Sequence, residues 1–341
     1  MQQHALEQFP RDIDALVAEL GMPPFASKQI LSWMYQKGVA HVDEMTNISK
    51  VNREAIANRI FFRRSTKAIE KIASDKTRKL LLTWDHGNNT TETVLIPTPK
   101  RQTACVSSQI GCPVGCTFCA SGIGGTEGNL SVGQIVEQVI LLGSNITNIV
   151  FMGMGEPLAN YNAVTRAIRI LNASWGCGIG ARKITISTVG LPKAIERLAT
   201  FDIPVTLALS LHAPNDTLRK QLIPWAEFAS IDEILTSCNK YFTATRREIT
   251  LEYLLLGGVN DRVAQAKELA ELCHTLRCNV NLIRYNEVDG IAYKRPQTEQ
   301  VHRFQEALQK AGVNVHIRAS RGRDIEAACG QLRKQHQETS I

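Results

Sequence analysis

The sequence predicts an α/β protein: a parallel sheet wound as a partial or full barrel, with a small helical and hairpin region ahead of it. Three observations predict this. From Cys105 onward, short β-rich runs (148–152, 183–187, 204–210, 249–256, 279–284 and 313–318) alternate with helical windows (131–142, 161–171, 192–198, 231–241, 264–275 and 297–311). Repeated strand–helix units of this kind form parallel sheets with right-handed crossovers. The chain's 341 residues, 44% hydrophobic, suffice for one barrel-sized domain and a smaller one. The first ninety or so residues follow a different pattern.

In that N-terminal region, 11–20 and 27–37 carry helical apolar spacing, for example Ile30, Leu31, Trp33 and Met34. Pro23-Pro24 separates them, and 48–60 reads as another short helix. Residues 79–84, a turn at Asp85-His86-Gly87-Asn88, and 92–96 read as a hairpin. Pro97-Thr98-Pro99-Lys100 reads as a linker. The expected organisation is an accessory domain over 1–97, a core over 98–318 and a C-terminal segment over 319–341. Ser131 and Asp261 stand at expected helix N-caps.

In a parallel barrel the ligand site lies at the C-terminal ends of the strands. The residues after four of the apolar runs are Gly153-Met154-Gly155-Glu156-Pro157, Ser187-Thr188-Val189-Gly190, Ser210-Leu211-His212 and Arg284-Tyr285-Asn286. Ordinary turns also use Gly, Ser and Asn, but four such sets share one expected rim.

Net charge is +7, with basic clusters at Arg63-Arg64, Lys76 to Lys79, Lys100-Arg101, Arg182-Lys183, Arg246-Arg247, and Arg318 with Arg321 and Arg323. A polyanion such as RNA is the matching partner, although solvated faces explain each cluster singly. No apolar stretch reaches the ~18 residues of a membrane span, and the opening residues lack the features of a signal peptide. Nine cysteines in such a chain point to thiol or metal chemistry in a reducing compartment, hence the cytoplasm.

Three of those cysteines, Cys112, Cys116 and Cys119, fall within ten residues as C-x3-C-x2-C. Four-iron clusters normally take four thiolates, so three leave one iron open. Gly111, Gly115 and Gly122 allow a tight wrap around a bulky core. A zinc site would call for a second Cys pair or an H-x3-H. Buried structural thiols are the remaining alternative.

These residues resemble the radical S-adenosylmethionine enzymes, and specifically the RlmN/Cfr family of RNA methyltransferases. The likeness runs over nearly the whole chain. It includes 105–112, 151–158, 184–190, Ser210-Leu211-His212-Ala213-Pro214-Asn215-Asp216, Gly258-Val259-Asn260-Asp261, 281–286 and 324–332. The N-terminal part also resembles that family's accessory domain at 28–38 and 43–45. The resemblance implies a partial (βα)6 radical SAM barrel and a 4Fe-4S cluster on Cys112, Cys116 and Cys119. It also implies an S-adenosylmethionine pocket from Gly155, Glu156, Ser187, Ser210, Leu211, His212 and Asn286. Adenine C2 has no lone pair with which to attack a sulfonium methyl, and a radical route removes that need. Cys329 is implied as the methyl acceptor, Cys105 as the resolving thiol that ends in a Cys105–Cys329 disulfide, and Glu92 as proton acceptor. Composition alone would make Glu92 an exposed strand-end carboxylate and His212 a packed histidine. Cys177, Cys238, Cys273 and Cys278 read as structural.

The expected activity is C2 methylation of an adenosine in 23S rRNA, and in tRNA as a further target, by a monomer reduced by a donor such as flavodoxin. Gly128 stands where the family has a basic residue, and 223–227 departs from its usual Pro-Ile-Asn stretch. Glu156-Pro157 and Arg321-Gly322 resemble the C2-methylating branch. Two rivals stay open: Cfr-like C8 methylation, and an iron–sulfur RNA-binding protein that does not methylate.

Overall fold

A computed structural model describes residues 2–84 and 89–332. At the N-terminus, β1 (Gln3–His4) pairs in parallel with β2 (Ile60–Phe61). Between them lie α1 (Pro10–Glu19), α2 (Ala26–Leu31) and α3 (Lys50–Ala57). The helix expected over 27–37 changes type after Leu31. Ser32–Gln36 forms a π-helical turn, closed where the Lys37 N–H donates to the Ser32 carbonyl at 3.0 Å. The wider turn lets the Lys37 ammonium sit 3.4 Å from the Trp33 ring centroid.

Strands β3 (Ser65–Ile72), β4 (Arg78–Trp84) and β5 (Asn89–Thr98) form an antiparallel meander. The expected hairpin is β4–β5; its turn at Asp85-His86-Gly87-Asn88 lies outside the described residues. The expected linker is not one. Pro97 and Thr98 extend β5 and pair with Gln102 and Arg101 of β6 (Arg101–Cys105), leaving only Pro99 and Lys100 as a turn. Proline is tolerated there because it stands near the end of its strand.

Strands β7 (Gln109–Gly111) and β8 (Thr126–Asn129) make a small separate pair. The remaining strands are β9 (Asn148–Phe151), β10 (Ile184–Thr188), β11 (Thr206–Ser210), β12 (Ile249–Leu255), β13 (Cys278–Arg284) and β14 (Val315–Arg318). Among the described residues ten strands share one sheet, in the order β14-β13-β12-β11-β10-β9-β6-β5-β4-β3. From β6 to β14 all pairings are parallel. The crossovers are α4 (Val132–Leu142), α5 (Tyr161–Asn172), α6 (Pro192–Ala199), the pair α7 (Asp216–Leu222) and α8 (Ile231–Thr245), α9 (Val263–His274) and α10 (Thr298–Lys310). This is a partial (βα)6 barrel, open, with β14 as the edge strand beyond β13, and the accessory meander continues its sheet from the other side without a break.

The sheet fills with fully buried Ile149, Phe151, Ile186, Leu207, Leu209, Leu251 and Leu282, the β-rich apolar runs expected of a sheet covered on both faces. Ser131 caps α4 as expected, in a capping box with Gln134. Asp261 does not cap α9; Arg262 holds that position, and Asp261 Oδ1 instead accepts from the Gly258 N–H at 3.1 Å. No helix among the described residues is long and apolar enough to cross a membrane.

Candidate active site

The cysteine loop leaves β7 at Gly111, whose φ of +76° is open to glycine. A Cβ there would lie 2.1 Å from the Gly125 carbonyl oxygen, the same oxygen that accepts from the Cys112 N–H at 3.0 Å. The loop then returns through β8. Cys112, Cys116 and Cys119 line one cleft of about 880 Å³ at the C-terminal ends of the parallel strands. Burial pushes the Cys112 thiol up to about 12 and those of Cys116 and Cys119 upward too. Backbone N–H groups of Val114 and Gly155 at Cys112, and of Ser121 and Gly122 at Cys119, pull the other way, toward the thiolate. Among the described residues no three Cys, His, Asp or Glu side chains converge to hold a single metal ion. Three partly buried cysteines lining one cleft, with N–H donors at the sulfurs of Cys112 and Cys119, fit a polynuclear iron–sulfur core.

Across the cleft, the loop that follows β9 carries Gly155 and Glu156. Gly155 has φ +99°, and a Cβ would meet the Gln109 side chain at 2.6 Å. Gln109 holds this turn: its Oε1 accepts from the Glu156 N–H at 2.8 Å and its Nε2 donates to Asn129 at 2.7 Å. The buried Glu156 carboxylate accepts N–H bonds from Leu158 at 3.0 Å and Val189 at 2.9 Å. Burial outweighs those bonds and pushes its pKa up to about 7.

The next two strand ends bring Ser187 and Ser210 together at 3.1 Å. Behind them the buried Arg219 guanidinium donates to the carbonyls of Val189, Ser210 and Leu211, fixing three loop positions at once. His212, at φ +58°, lines the cleft edge-on to Phe118. Its Nδ1 accepts from the Leu254 N–H at 3.0 Å, and burial holds its pKa down at about 3, so the ring is neutral with its proton on Nε2. Asn260, from the Gly258-Val259-Asn260-Asp261 motif, donates to the His212 carbonyl at 2.8 Å and accepts from the Leu256 N–H at 2.7 Å. Leu211 departs from expectation. Its side chain is fully buried in the barrel core and does not line the cleft, so it can offer a ligand only its backbone.

A second cavity of about 610 Å³ adjoins the first, lined by Cys105, Cys329 and Asn286. Cys329, Met152, Ile283 and Arg318 line both. Asn286 faces this second space; its Nδ2 donates to the Cys329 carbonyl at 3.5 Å. Cys105 is buried, which raises its thiol to about 12, and Cys329 is exposed yet also raised, burial of the sulfur's surroundings being the first cause for both. Arg318 counters both shifts, and its own pKa is raised, with Glu252 at 3.6 Å the chief favourable partner against the burial that opposes it. Glu252 is in turn bonded by Asn281 at 3.0 Å.

Glu92 lines neither cavity and is not an exposed strand-end group. It is buried in β5, with the Lys79 ammonium 2.8 Å away. Sequence reasoning also missed Arg318 and Glu252 as site residues. The signal was available: Arg318 ends the last apolar run just as Asn286 follows the one before it.

The radical SAM superfamily model matches residues 106–272, and the ribosomal RNA large subunit methyltransferase N-terminal domain matches residues 6–61. A relative from Alkaliphilus oremlandii, described as a probable dual-specificity RNA methyltransferase RlmN, is 44% identical over 332 residues, 96% of each chain. One of the same description from Thermosynechococcus vestitus is 46% identical over 327 residues, 95% of this chain and 96% of its own. The crystal structure of a radical SAM methyltransferase from Sphaerobacter thermophilus superposes with a TM-score of 0.94 at 41% identity, covering 98% of this chain and all of that one. Radical SAM enzymes work with a 4Fe-4S cluster and S-adenosylmethionine, the group and the ligand that the thiol loop and the cleft fit. The protein belongs to the RlmN family of radical SAM RNA methyltransferases.

Proposed function

We propose that this enzyme methylates C2 of an adenosine in 23S rRNA, and of an adenosine in tRNA, through a methyl group carried on Cys329. The observation that carries this reading is the position of Cys329 on both cavities: it faces the thiol-lined cleft on one side and Cys105 on the other. A cysteine so placed can receive a methyl group in one space and meet a resolving thiol in the next.

Cys112, Cys116 and Cys119 would hold the cluster, which with bound S-adenosylmethionine supplies one-electron chemistry that the protein's own side chains lack. The chain does the rest. Glu156 presents carboxylate oxygens to the S-adenosylmethionine ammonium, a charge-assisted contact. Ser187 and Ser210 offer hydroxyls, while neutral His212 and the apolar walls exclude water. Arg318 favours the thiolate forms of Cys329 and Cys105, the forms that act as nucleophiles. Cys329 first displaces the methyl group of one S-adenosylmethionine, releasing S-adenosylhomocysteine. That carbon, less one hydrogen removed by the one-electron chemistry, then joins the base, and the base gives up its C2 proton and the unpaired electron. Cys105 next attacks the Cys329 sulfur. The electron pair of the broken sulfur–carbon bond stays on the carbon, which takes up a proton to become the methyl group, and a Cys105–Cys329 disulfide is left for the electron donor to reduce. Glu92 keeps the proton-accepting role implied by the family, set against Lys79. We further propose residues 1–97, 98–318 and 319–341 as functional units, a monomeric cytoplasmic enzyme, and a flavodoxin-like donor.

The test is nucleoside mass analysis of rRNA and tRNA from cells with and without this protein, with chromatographic standards for both isomers. 2-Methyladenosine that disappears with the gene is the expected result. 8-Methyladenosine would overturn the C2 assignment, and no change in either would overturn the substrate.

A further inference from the structure

Three arginines stand beside residues that line the second cavity: Arg284 follows Ile283, Arg295 bonds Asn286, and Arg323 lies two residues after Arg321. Arg284 ends β13, two residues before Asn286. Arg295 donates to the Tyr285 carbonyl at 2.8 Å and to Asn286 Oδ1 at 3.0 Å, and Asn286 holds the Cys329 carbonyl. Arg323 opens a short 3-10 turn six residues before Cys329, entered through Gly322 at φ +64°. Among the described residues none of the three forms an ion pair within 4.0 Å. Arg284 spends one N–H on the Thr298 hydroxyl at 3.2 Å, and its buried Nε has no partner. Glu287 accepts from the Arg295 backbone N–H at 3.2 Å and its charge favours the Arg295 cation, while Asp324 accepts from the Ser74 N–H at 2.8 Å and Asp75 faces Arg321 at 3.7 Å. Burial, then the Arg323 and Arg284 charges, lower the Arg295 pKa against the opposing charge of Glu287, so the three cations feel one another. Three cations against one nearby acid leave a net positive charge that suits an anion.

We infer that Arg284, Arg295 and Arg323 form a phosphate clamp for the nucleotide whose base enters the cavity. This rests on the RNA methyltransferase reading and deepens it. A base that reaches Cys329 must leave its stack, and its flanking phosphates stay outside at the rim. Planar guanidiniums pair with phosphate oxygens two at a time. The clamp fixes the backbone and carries no base preference.

The experiment uses the reconstituted full chain and a 23S rRNA fragment or tRNA transcript, whichever the wild type methylates, labelled with fluorescein. Anisotropy gives Kd at several salt concentrations. R284Q/R323Q is compared with R182Q/K183Q, which removes equal charge ahead of β10, at the opposite ends of the strands. The clamp variant should bind at least tenfold more weakly near 0.1 M salt, as an order of magnitude, and lose roughly 1.4 to 1.8 from its log–log salt slope. The control should stay within about threefold. Iron content and S-adenosylmethionine binding report that the fold is intact; if R284Q/R323Q fails them, R323Q alone should lose about half that slope. Equal losses in both variants, or an unchanged slope, overturn the clamp while the wild type's methylation keeps the functional reading. A wild type that methylates neither RNA removes both.

Discussion

Lys79 joins Glu92 to the cysteine segment: its ammonium lies 2.8 Å from Glu92 and donates to the Glu326 carbonyl at 3.0 Å. Glu326 stands three residues before Cys329, in a left-handed conformation at φ +54° that L side chains rarely adopt. The buried ion pair therefore anchors one end of the segment that carries the proposed methyl acceptor. Removing one partner of such a pair strands the other charge and costs about 3–5 kcal/mol. Glu92→Ala should unfold at markedly lower urea. Glu92→Gln keeps the shape and some hydrogen bonding. If Glu92 takes the proton, this variant should accumulate a covalent protein–RNA species on denaturing gels. Wild-type yields of methylated RNA from Glu92→Gln would leave Glu92 a purely structural role.

The two cavities assign separate tasks to two thiols. Cys329→Ala should lose methyl transfer but keep iron content and S-adenosylmethionine binding, because Cys329 faces the cleft without being one of the three cysteines of the loop. Cys105→Ala should trap RNA on Cys329, for want of a thiol to attack its sulfur. Denaturing gels and intact-mass measurement read the adduct. Free methylated RNA at normal yield from Cys105→Ala would remove that residue from the mechanism. Cys116→Ala should fail to hold iron, and a fully metallated, brown variant would contradict its role as a ligand.

Much of this site is legible in the chain because its parts are local. C-x3-C-x2-C lies in one loop, and Gly155, Glu156, Ser187, Ser210 and Asn286 each follow an apolar run whose end marks the rim. The burial of Glu92 was not legible. Its run, Thr90-Thr91-Glu92-Thr93, looks solvated, yet every one of these residues is buried, because β5 lies between β4 and β6. The Arg318–Glu252 pair escaped for another reason. It joins β14 to β12 across β13, and sequence spacing cannot report which strands adjoin. Strand β6 has too few apolar residues to stand out, and its pairing with β5 and β9 makes it a strand.

A buried histidine couples the N-terminus to the barrel. His4 stacks on Phe61 with centroids 5.0 Å apart and faces Glu137 of α4 at 3.4 Å and Glu7 at 3.9 Å. Burial opposes the imidazolium, but the ion-pair contacts with the Glu137 and Glu7 carboxylates prevail, and the His4 pKa is raised. Its contribution is therefore complete below the unfolded value near 6.5 and lost as pH rises through the folded value. Glu137 is lowered, with burial opposing and bonds from His4, Ser65 and Arg64 favouring the carboxylate; Glu7 is lowered to about 2, chiefly by His4. Their contributions hold above about 4.5 and fade as pH falls. The latch is strongest between those limits. His4→Gln should lose about 3 kcal/mol near pH 6 and much less near pH 8.5. Urea midpoints for both proteins at both pH values test this, and an equal loss at both would exclude the charged latch.

Glu156 titrates in the opposite setting, with no cation beside it until a ligand arrives. Burial is the main cause of its raised pKa, about 7, and the Val189 and Leu158 N–H bonds only moderate it. An ammonium brought to those oxygens needs the carboxylate. Below pH 7 the free enzyme must first lose a proton, so S-adenosylmethionine affinity should fall about tenfold per unit there and level off above. Glu156→Gln should abolish that dependence. An amide also turns an NH2 toward Val189 or Leu158, where the backbone already donates, so affinity at pH 8 should drop by about 100-fold or more. Equilibrium dialysis of labelled S-adenosylmethionine across pH 5.5 to 8.5 measures both effects. A flat wild-type profile would mean that the ammonium binds elsewhere on the rim.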